Sequence, residues 1–247
     1  MEGHIEGHEP KRYKDNRSVT SLQSCTCCAF KFQSPCSILL AGCSQVGKTF
    51  TVVQILRQRK HLFSEVPEEI IYCYTCWDPK FDVLQRELQD YITFRTDIPT
   101  NEELEKMHSN NRPMVLVLDD KISMFKDDEK GRELIDLASI YCHHLNINVI
   151  FISQNLFHSQ VQRQISLQCQ YLMLFPSPRS GQQIRALGSQ IYGRGGSHYL
   201  WDAFKKATST PYSYLLVDVH QSTKEKEKLK SRILPDEQEV IVYLPVK

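Results

Sequence analysis

Residues Gly42, Cys43, Ser44, Gln45, Val46, Gly47, Lys48 and Thr49 read GCSQVGKT, a spacing of two glycines, a lysine and a hydroxyl that suits the capture of a polyphosphate. Such a ligand carries several negative charges, and a tight loop leading into a helix N-terminus meets them with backbone N–H groups. Gly42 and Gly47 permit that path, Lys48 reaches the β and γ phosphates, and Thr49 offers its hydroxyl to Mg²⁺. Magnesium also needs a carboxylate, and MVLVLDD at 114–120 supplies two. Asp119 is expected to bind the metal through its water shell, and Asp120 to orient or deprotonate the attacking water. A third run, VIFISQN, ends in the amides of Gln154 and Asn155. A neutral side chain there contacts both the γ phosphate and the attacking water, so it reports whether the nucleotide is intact. The expected cofactors are therefore ATP and Mg²⁺, with the base left open because the loop reads phosphates and not the ring.

These groups cooperate only if the elements that carry them converge. SILLA (37–41) is a short apolar run ending in Gly42, as a buried parallel strand should, and Thr49, Val52, Val53 and Leu56 follow at helical spacing until RQRK closes the segment. The loop thus lies between a strand and a helix, the context in which GxxxxGK[ST] is specific. EIIYCYT (69–75), YITFR (91–95), MVLVLDD, NVIFISQ (148–154) and YLMLF (171–175) are further candidate strands. GRELIDLASIYCHH (131–144) sets Leu134, Leu137, Ala138 and Tyr141 on one helical face. After residue 175, GQQIRALGSQIY and SHYLWDAFKKATS read as helices, and YSYLLVDV (212–219) and EVIVYL (239–244) as strands. Alternating strands and helices imply an α/β fold with a mostly parallel sheet covered on both sides, which brings Asp119 and Asp120 out beside the loop at the sheet's carboxyl edge. The polar stretch 1–33 is expected to be a flexible arm, and 34–247 a single P-loop ATPase domain.

The chain's 247 residues suffice for one large α/β domain, and its 41% hydrophobic and 24% charged residues are those of an ordinary globular protein. No apolar run is long enough to span a bilayer, and MEGHIEGHEPKRYKDNRS lacks the apolar centre of a signal peptide, so an intracellular, non-secreted protein without a membrane partner is expected. Nine cysteines in such a chain read as reduced thiols. A net charge of +1 excludes coating of nucleic acid by bulk attraction, so any DNA contact must be local. Cys25, Cys27 and Cys28 contain a C-x-x-C spacing and Cys73 and Cys76 form another, as a four-cysteine zinc site would need, but Cys73 sits inside an apolar strand pattern, which favours thiols. His4 and His8 stand one helical turn apart, yet their flanking glycines disfavour a helix. KEKEKLKSR (224–232) carries +3, from four lysines and one arginine against two glutamates, and reads as a solvated loop or as a contact to DNA phosphates or a portal.

SILLAGCSQVGKT, VLVLDD, the block VIFISQNLFHSQVQRQISLQCQYLMLFPSPRSGQQIRALGSQIY and ATSTPYSYLLVDVH together resemble the genome-packaging ATPases of polinton- and adintovirus-type DNA viruses and transposons, within the FtsK and HerA superfamily of P-loop motors. The similarity runs from about residue 32 to 237, and 149–192 is its most specific part. The resemblance implies a RecA-like fold of the ASCE type, with an added strand between the two Walker motifs and a C-terminal strand extension. It also implies a ring-shaped homo-oligomer and ATP-driven movement of double-stranded DNA into a capsid, in the host nucleus or the virion. Lys48 and Thr49 match the Walker A positions, Asp119 and Asp120 the Walker B pair, and Gln154 the polar residue ending the next core strand. Arg163 and Arg179 match arginines of the family's pattern, either of which suits insertion into a neighbour's nucleotide site or an ordinary surface role. The chain departs from the pattern at Cys43 and Gln45 within the loop, at Ser180, and at Lys121, a cation placed to pair with Asp120 and weaken it as a base. A non-catalytic, nucleotide-dependent binding protein and a translocase or helicase unconnected with any capsid are the alternative readings.

Overall fold

Apolar runs of four to seven residues, too short for helices and rich in Ile, Val and Leu, become strands buried on both faces. The computed structural model describes residues 19–25, 30–108, 112–121, 129–157, 159–237 and 239–245. Its strands are β1 (Val19–Cys25), β2 (Ser37–Ala41), β3 (Glu69–Cys73), β4 (Ile92–Arg95), β5 (Met114–Asp119), β6 (Ile147–Ser153), β7 (Tyr171–Leu174), β8 (Leu215–Asp218), β9 (Leu229–Ser231) and β10 (Val240–Pro245). The helices are α1 (Lys48–Arg57), α2 (Arg59–Leu62), α3 (Lys80–Glu87), α4 (Asn101–His108), α5 (Glu129–Asp136), α6 (Cys142–His144), α7 (Gln160–Gln168), α8 (Gly181–Tyr192) and α9 (Gly196–Ala207). A π-helical segment, Leu137–Tyr141, joins α5 to α6 inside the single helix that the apolar spacing predicts. There Ser139 Oγ donates to the Ile135 carbonyl at 2.8 Å, a side-chain competitor for the backbone ladder.

All ten strands form one sheet in the order β1-β10-β9-β8-β7-β2-β6-β5-β3-β4. From β7 to β4 every pairing is parallel, and from β7 to β1 every pairing is antiparallel. The central strand β2 has β7 on one side and β6 on the other, so β6 separates β2 from β5. The inserted strand and a C-terminal strand extension are both what the resemblance implies, and the extension is antiparallel. Alternation along the strands divides the core into two layers. Leu39, Ile71, Leu116 and Phe151 face α5, α7, α8 and α9, whereas Ile38, Leu40, Tyr72, Val117 and Ile150 face α1 and α3. No helix among the described residues is long and apolar enough to cross a membrane.

Two expectations change. Residues 1–18 and 26–29 lie outside the described residues, but those described within 1–33 are more than a flexible arm, because β1 pairs antiparallel with β10 and Phe32 is fully buried against Phe63 and Tyr171. Its backbone is fixed on both sides: Phe32 N donates to the Leu62 carbonyl at 2.7 Å and its own carbonyl accepts from Ser64 N at 2.9 Å. The lysine-rich run 224–232 contains β9, with Leu229 and Ser231 turned inward. Lys230 pairs at 2.7 Å with the buried Asp218, which also accepts from Thr223 Oγ1 at 2.8 Å. This part of the run is a structural strand, not a solvated loop. Of the thiols in the zinc reading, Cys73 is buried in β3 and Cys76 is exposed, while Cys27 and Cys28 lie outside the described residues, as do His4 and His8.

Candidate functional site

β2 delivers the chain to the carboxyl edge, where residues 42–47 turn it into α1. Gly42 is dictated by close approach, since a Cβ there would stand 2.6 Å from Phe175 Cβ at the end of β7. Gly47 has φ 100° and Gln45 has φ 65°, left-handed positions of the kind from which backbone anion-binding loops are built. Gly47 is the N-cap of α1 and brings no side chain to its first turn, and that turn contains no acidic residue. Its N–H groups and the positive end of the helix therefore face outward as an anion site. Lys48 Nζ folds back to donate to the carbonyls of Gly42 and Cys43, both at 2.7 Å. Burial holds its pKa below the ordinary lysine range, against the pull of Asp120, Cys43 and Asp119. Cys43 Sγ meets the Pro176 carbonyl at 3.2 Å, so its substitution ties the loop to the end of β7.

β5 carries Asp119 and Asp120 to the same edge, with β6 between them and the loop strand. Asp119 Oδ2 accepts from Tyr72 Oη at 2.9 Å, and the Asp119 carbonyl accepts from Thr75 Oγ1 at 3.1 Å. Burial pushes the Asp119 carboxyl up to about 6; the Tyr72 hydrogen bond opposes that rise and Asp120 reinforces it. The Tyr72 phenol is itself driven well above its ordinary range, first by burial and then by Asp119. A carboxylate held so high is one that a divalent cation would restore to its charged form, and the donor set here is oxygen, which suits magnesium. Asp120 leaves the strand with φ 54°, its N–H donating to the Ile152 carbonyl at 3.2 Å. Lys121 does not serve Asp120 as expected: its buried side chain turns to the Thr96 carbonyl, 2.6 Å from Nζ. Tyr72 and Thr75 are participants that the sequence reading did not single out. The available signal was a polar-tipped aromatic at a core position of the strand next to β5.

Gln154 follows β6 directly and is exposed at the edge, as is Asn155. Their turn is fastened beneath by Ser153, whose Oγ donates to the Asn155 carbonyl at 2.9 Å and accepts from the Nε2 of buried Gln162 at 3.0 Å. Arg163 is exposed on α7, one turn past the cap Ser159, and Arg179 is exposed in the turn from β7 to α8. The structure thus brings Gly42 to Thr49, Asp119, Asp120 and Gln154 onto one edge. It places both arginines on segments that leave that edge with their side chains toward solvent. Such an arrangement can hold a polyphosphate on backbone donors, one lysine and a metal between Thr49 and Asp119, with a second carboxylate beside the reacting end.

No family model and no curated protein matches the chain. Solved structures do. The DNA-packaging ATPase B204 from Sulfolobus turreted icosahedral virus superposes with a TM-score of 0.51 at 15% identity, covering 86% of this chain and 98% of that one. The genome-packaging NTPase B204 of Sulfolobus turreted icosahedral virus 2, in complex with AMP, gives 0.51 at 14% identity over 86% and 99%. Its complex with AMPPCP gives 0.50 at 17% identity over 76% and 95%. At these identities the likeness is one of fold, and with the strand order it makes the chain an α/β RecA-like P-loop NTPase fold with a short antiparallel C-terminal extension.

Proposed function

We propose that this chain is an ATP-hydrolysing motor that moves double-stranded DNA as a ring of identical subunits, and that its task is to load a viral or virus-like transposon genome into a capsid. The observation that carries the reading is the convergence at one sheet edge of the 42–49 loop, with Lys48 folded over it, and the Asp119–Asp120 pair one strand away. Residues Gly42 to Thr49 would hold the phosphates, and Lys48 would exchange the carbonyls of Gly42 and Cys43 for β- and γ-phosphate oxygens. Thr49 and Asp119 would hold the metal; bound magnesium supplies positive charge where negative charge develops during phosphoryl transfer. Asp120 would orient or deprotonate water, and Gln154 would sense the γ phosphate. Arg163 or Arg179, exposed and permanently charged, would reach the nucleotide of the next subunit in the ring.

Support for DNA as substrate comes from the fold shared with packaging NTPases; self-association rests on the sequence resemblance. A capsid or portal partner and a place of work in the host nucleus or virion extend that reading, together with the sequence resemblance. The test is steady-state ATP hydrolysis by the purified chain, with and without double-stranded DNA, beside Lys48→Ala and Asp120→Asn. Turnover that rises with DNA and vanishes in both variants is the expected result. Lys48-dependent binding without turnover, at concentrations where subunits assemble, would overturn the motor and leave a nucleotide-gated binding protein.

A further inference from the structure

Beside the 42–49 loop lies a cavity of about 440 Å³, walled by the turn from α9 to β8 and by the segment after β9, and including Thr210, Tyr212, Tyr214, Arg232 and Glu237. Chain direction puts it on the phosphate edge. β8 runs antiparallel to β7 with Leu215 opposite Leu174, so the turn before β8 stands next to Phe175, the residue against which Gly42 packs. Tyr214 meets the Phe175 ring at 5.6 Å between centroids. Tyr212 joins the cavity to the loop, because a Cβ built on Gly47 would lie 3.3 Å from Tyr212 Cδ1 and 3.4 Å from its Cβ.

The backbone and the exposure of Tyr212 both call for a reason. Its φ of 62° is a left-handed conformation that a bulky aromatic rarely adopts. Among the described residues, the other non-glycine positions of this kind are Gln45 and Asp120 at the phosphate edge, Arg232 in the wall of this same cavity, and Asn146 elsewhere. Strain of this sort persists where surrounding structure holds it and gathers at ligand clamps. Burial does not explain it, since Tyr212 is 67% exposed. The far wall is already set: Glu237 Oε2 accepts from Tyr214 Oη at 2.9 Å and from Leu234 N at 3.0 Å. Exposed Arg232 adds guanidinium donors to that wall.

We propose that this cavity is the nucleobase subsite and takes a purine, with the Tyr212 ring as its stacking face; this rests on the reading that the 42–49 loop binds the polyphosphate of a nucleotide. A base carried by phosphates in that loop meets Tyr212 first, and a two-ring heterocycle covers a phenol face more fully than a one-ring base. The volume lies within the range of small-ligand sites and accommodates base and ribose together.

Equilibrium binding of ATP, GTP, CTP and inorganic tripolyphosphate, each with Mg²⁺, tests the assignment on the full chain and on Tyr212→Phe, Tyr212→Gly and Lys48→Ala. Stacking on an aromatic predicts that Tyr212→Gly weakens ATP and GTP between about fivefold and about a hundredfold. CTP should lose less, tripolyphosphate should be unaffected, and Tyr212→Phe should bind purine nucleotides as the native chain does. Glycine suits the observed φ, so Tyr212→Gly should melt no lower than the native chain, which separates lost stacking from a damaged fold. Equal losses for ATP and tripolyphosphate would overturn the proposal by making Tyr212 a prop for the loop, and so would an unchanged ATP affinity. A native chain that binds neither ATP nor tripolyphosphate in a Lys48-dependent way would instead overturn the phosphate-site reading beneath it.

Discussion

Replacing Tyr72 with Phe removes one hydroxyl and keeps the ring that packs on Phe81 and Phe94. That hydroxyl donates to Asp119 Oδ2 at 2.9 Å and is the contact that restrains a carboxyl which burial and Asp120 push up to about 6. A hydrogen bond to a charged group is worth about 1.5–3 kcal/mol. At about 1.4 kcal/mol per pKa unit, its loss carries Asp119 upward by roughly one to two units. At pH 7 the native carboxyl is mostly ionised, whereas that of the variant is about half protonated or more. If Asp119 faces the metal, Mg²⁺-dependent ATP affinity measured from mildly acidic to mildly alkaline pH should weaken in the native chain as pH falls through about 6. In Tyr72→Phe the same loss should begin about one to two units higher. Titration of the nucleotide itself is common to both proteins and cancels in the difference. Metal-free stability moves the other way. A carboxyl raised from about 3.9 unfolded stabilises the fold most below that value, and the benefit fades as pH rises through the folded pKa. For the native chain that folded value is about 6. Over roughly two units this amounts to about 3 kcal/mol. An affinity midpoint in the variant at or below that of the native chain would refute the reasoning.

Gly188→Ala should force α8 and α9 apart, since its Cβ would stand 2.4 Å from the Gly196 carbonyl oxygen and 2.9 Å from Leu200 Cβ. Urea unfolding should show a loss of at least about 1–3 kcal/mol. Lys230→Met leaves Asp218 buried without its cation and should cost about 3–5 kcal/mol by the same assay. Lys226→Met, on the exposed part of the same run, should cost almost nothing. Lys121→Met should leave turnover near the native value because Nζ serves Thr96 and not Asp120, while thermal or urea unfolding registers the carbonyl left without its donor, about 1–3 kcal/mol.

The parallel half of the sheet was legible because its central strands are dominated by apolar runs, such as SILLA in β2, MVLVL in β5 and VIFI in β6, and SILLA followed by GCSQVGKT also announces what comes next. The approach of Asp119 and Asp120 to the loop was legible too, since a parallel α/β sheet sends every strand's carboxyl end to one edge. β1 was not, because VTSLQSC has neither an apolar run nor a clean alternation, and its strand form comes from pairing with β10. β9 hid for a related reason: two inward residues among lysines are too few to show a period. Contacts between non-adjacent segments escaped altogether. Tyr72 meets Asp119 only through the register of β3 on β5, and Lys121 turns to a carbonyl that spacing places nowhere in particular. Tyr212 stood in a predicted strand, YSYLLVDV, but the strand begins at Leu215 and the residues before it form the turn that approaches Gly47.

The central claim, that this fold drives DNA by hydrolysing ATP, is met most directly by displacement of a triplex-forming third strand from double-stranded DNA by the purified chain. A motor should release the third strand in an ATP-dependent reaction that Lys48→Ala and Asp120→Asn abolish, at a rate that falls as the DNA between loading site and triplex lengthens. A third strand that stays bound, under conditions where the same preparation hydrolyses ATP, would contradict translocation.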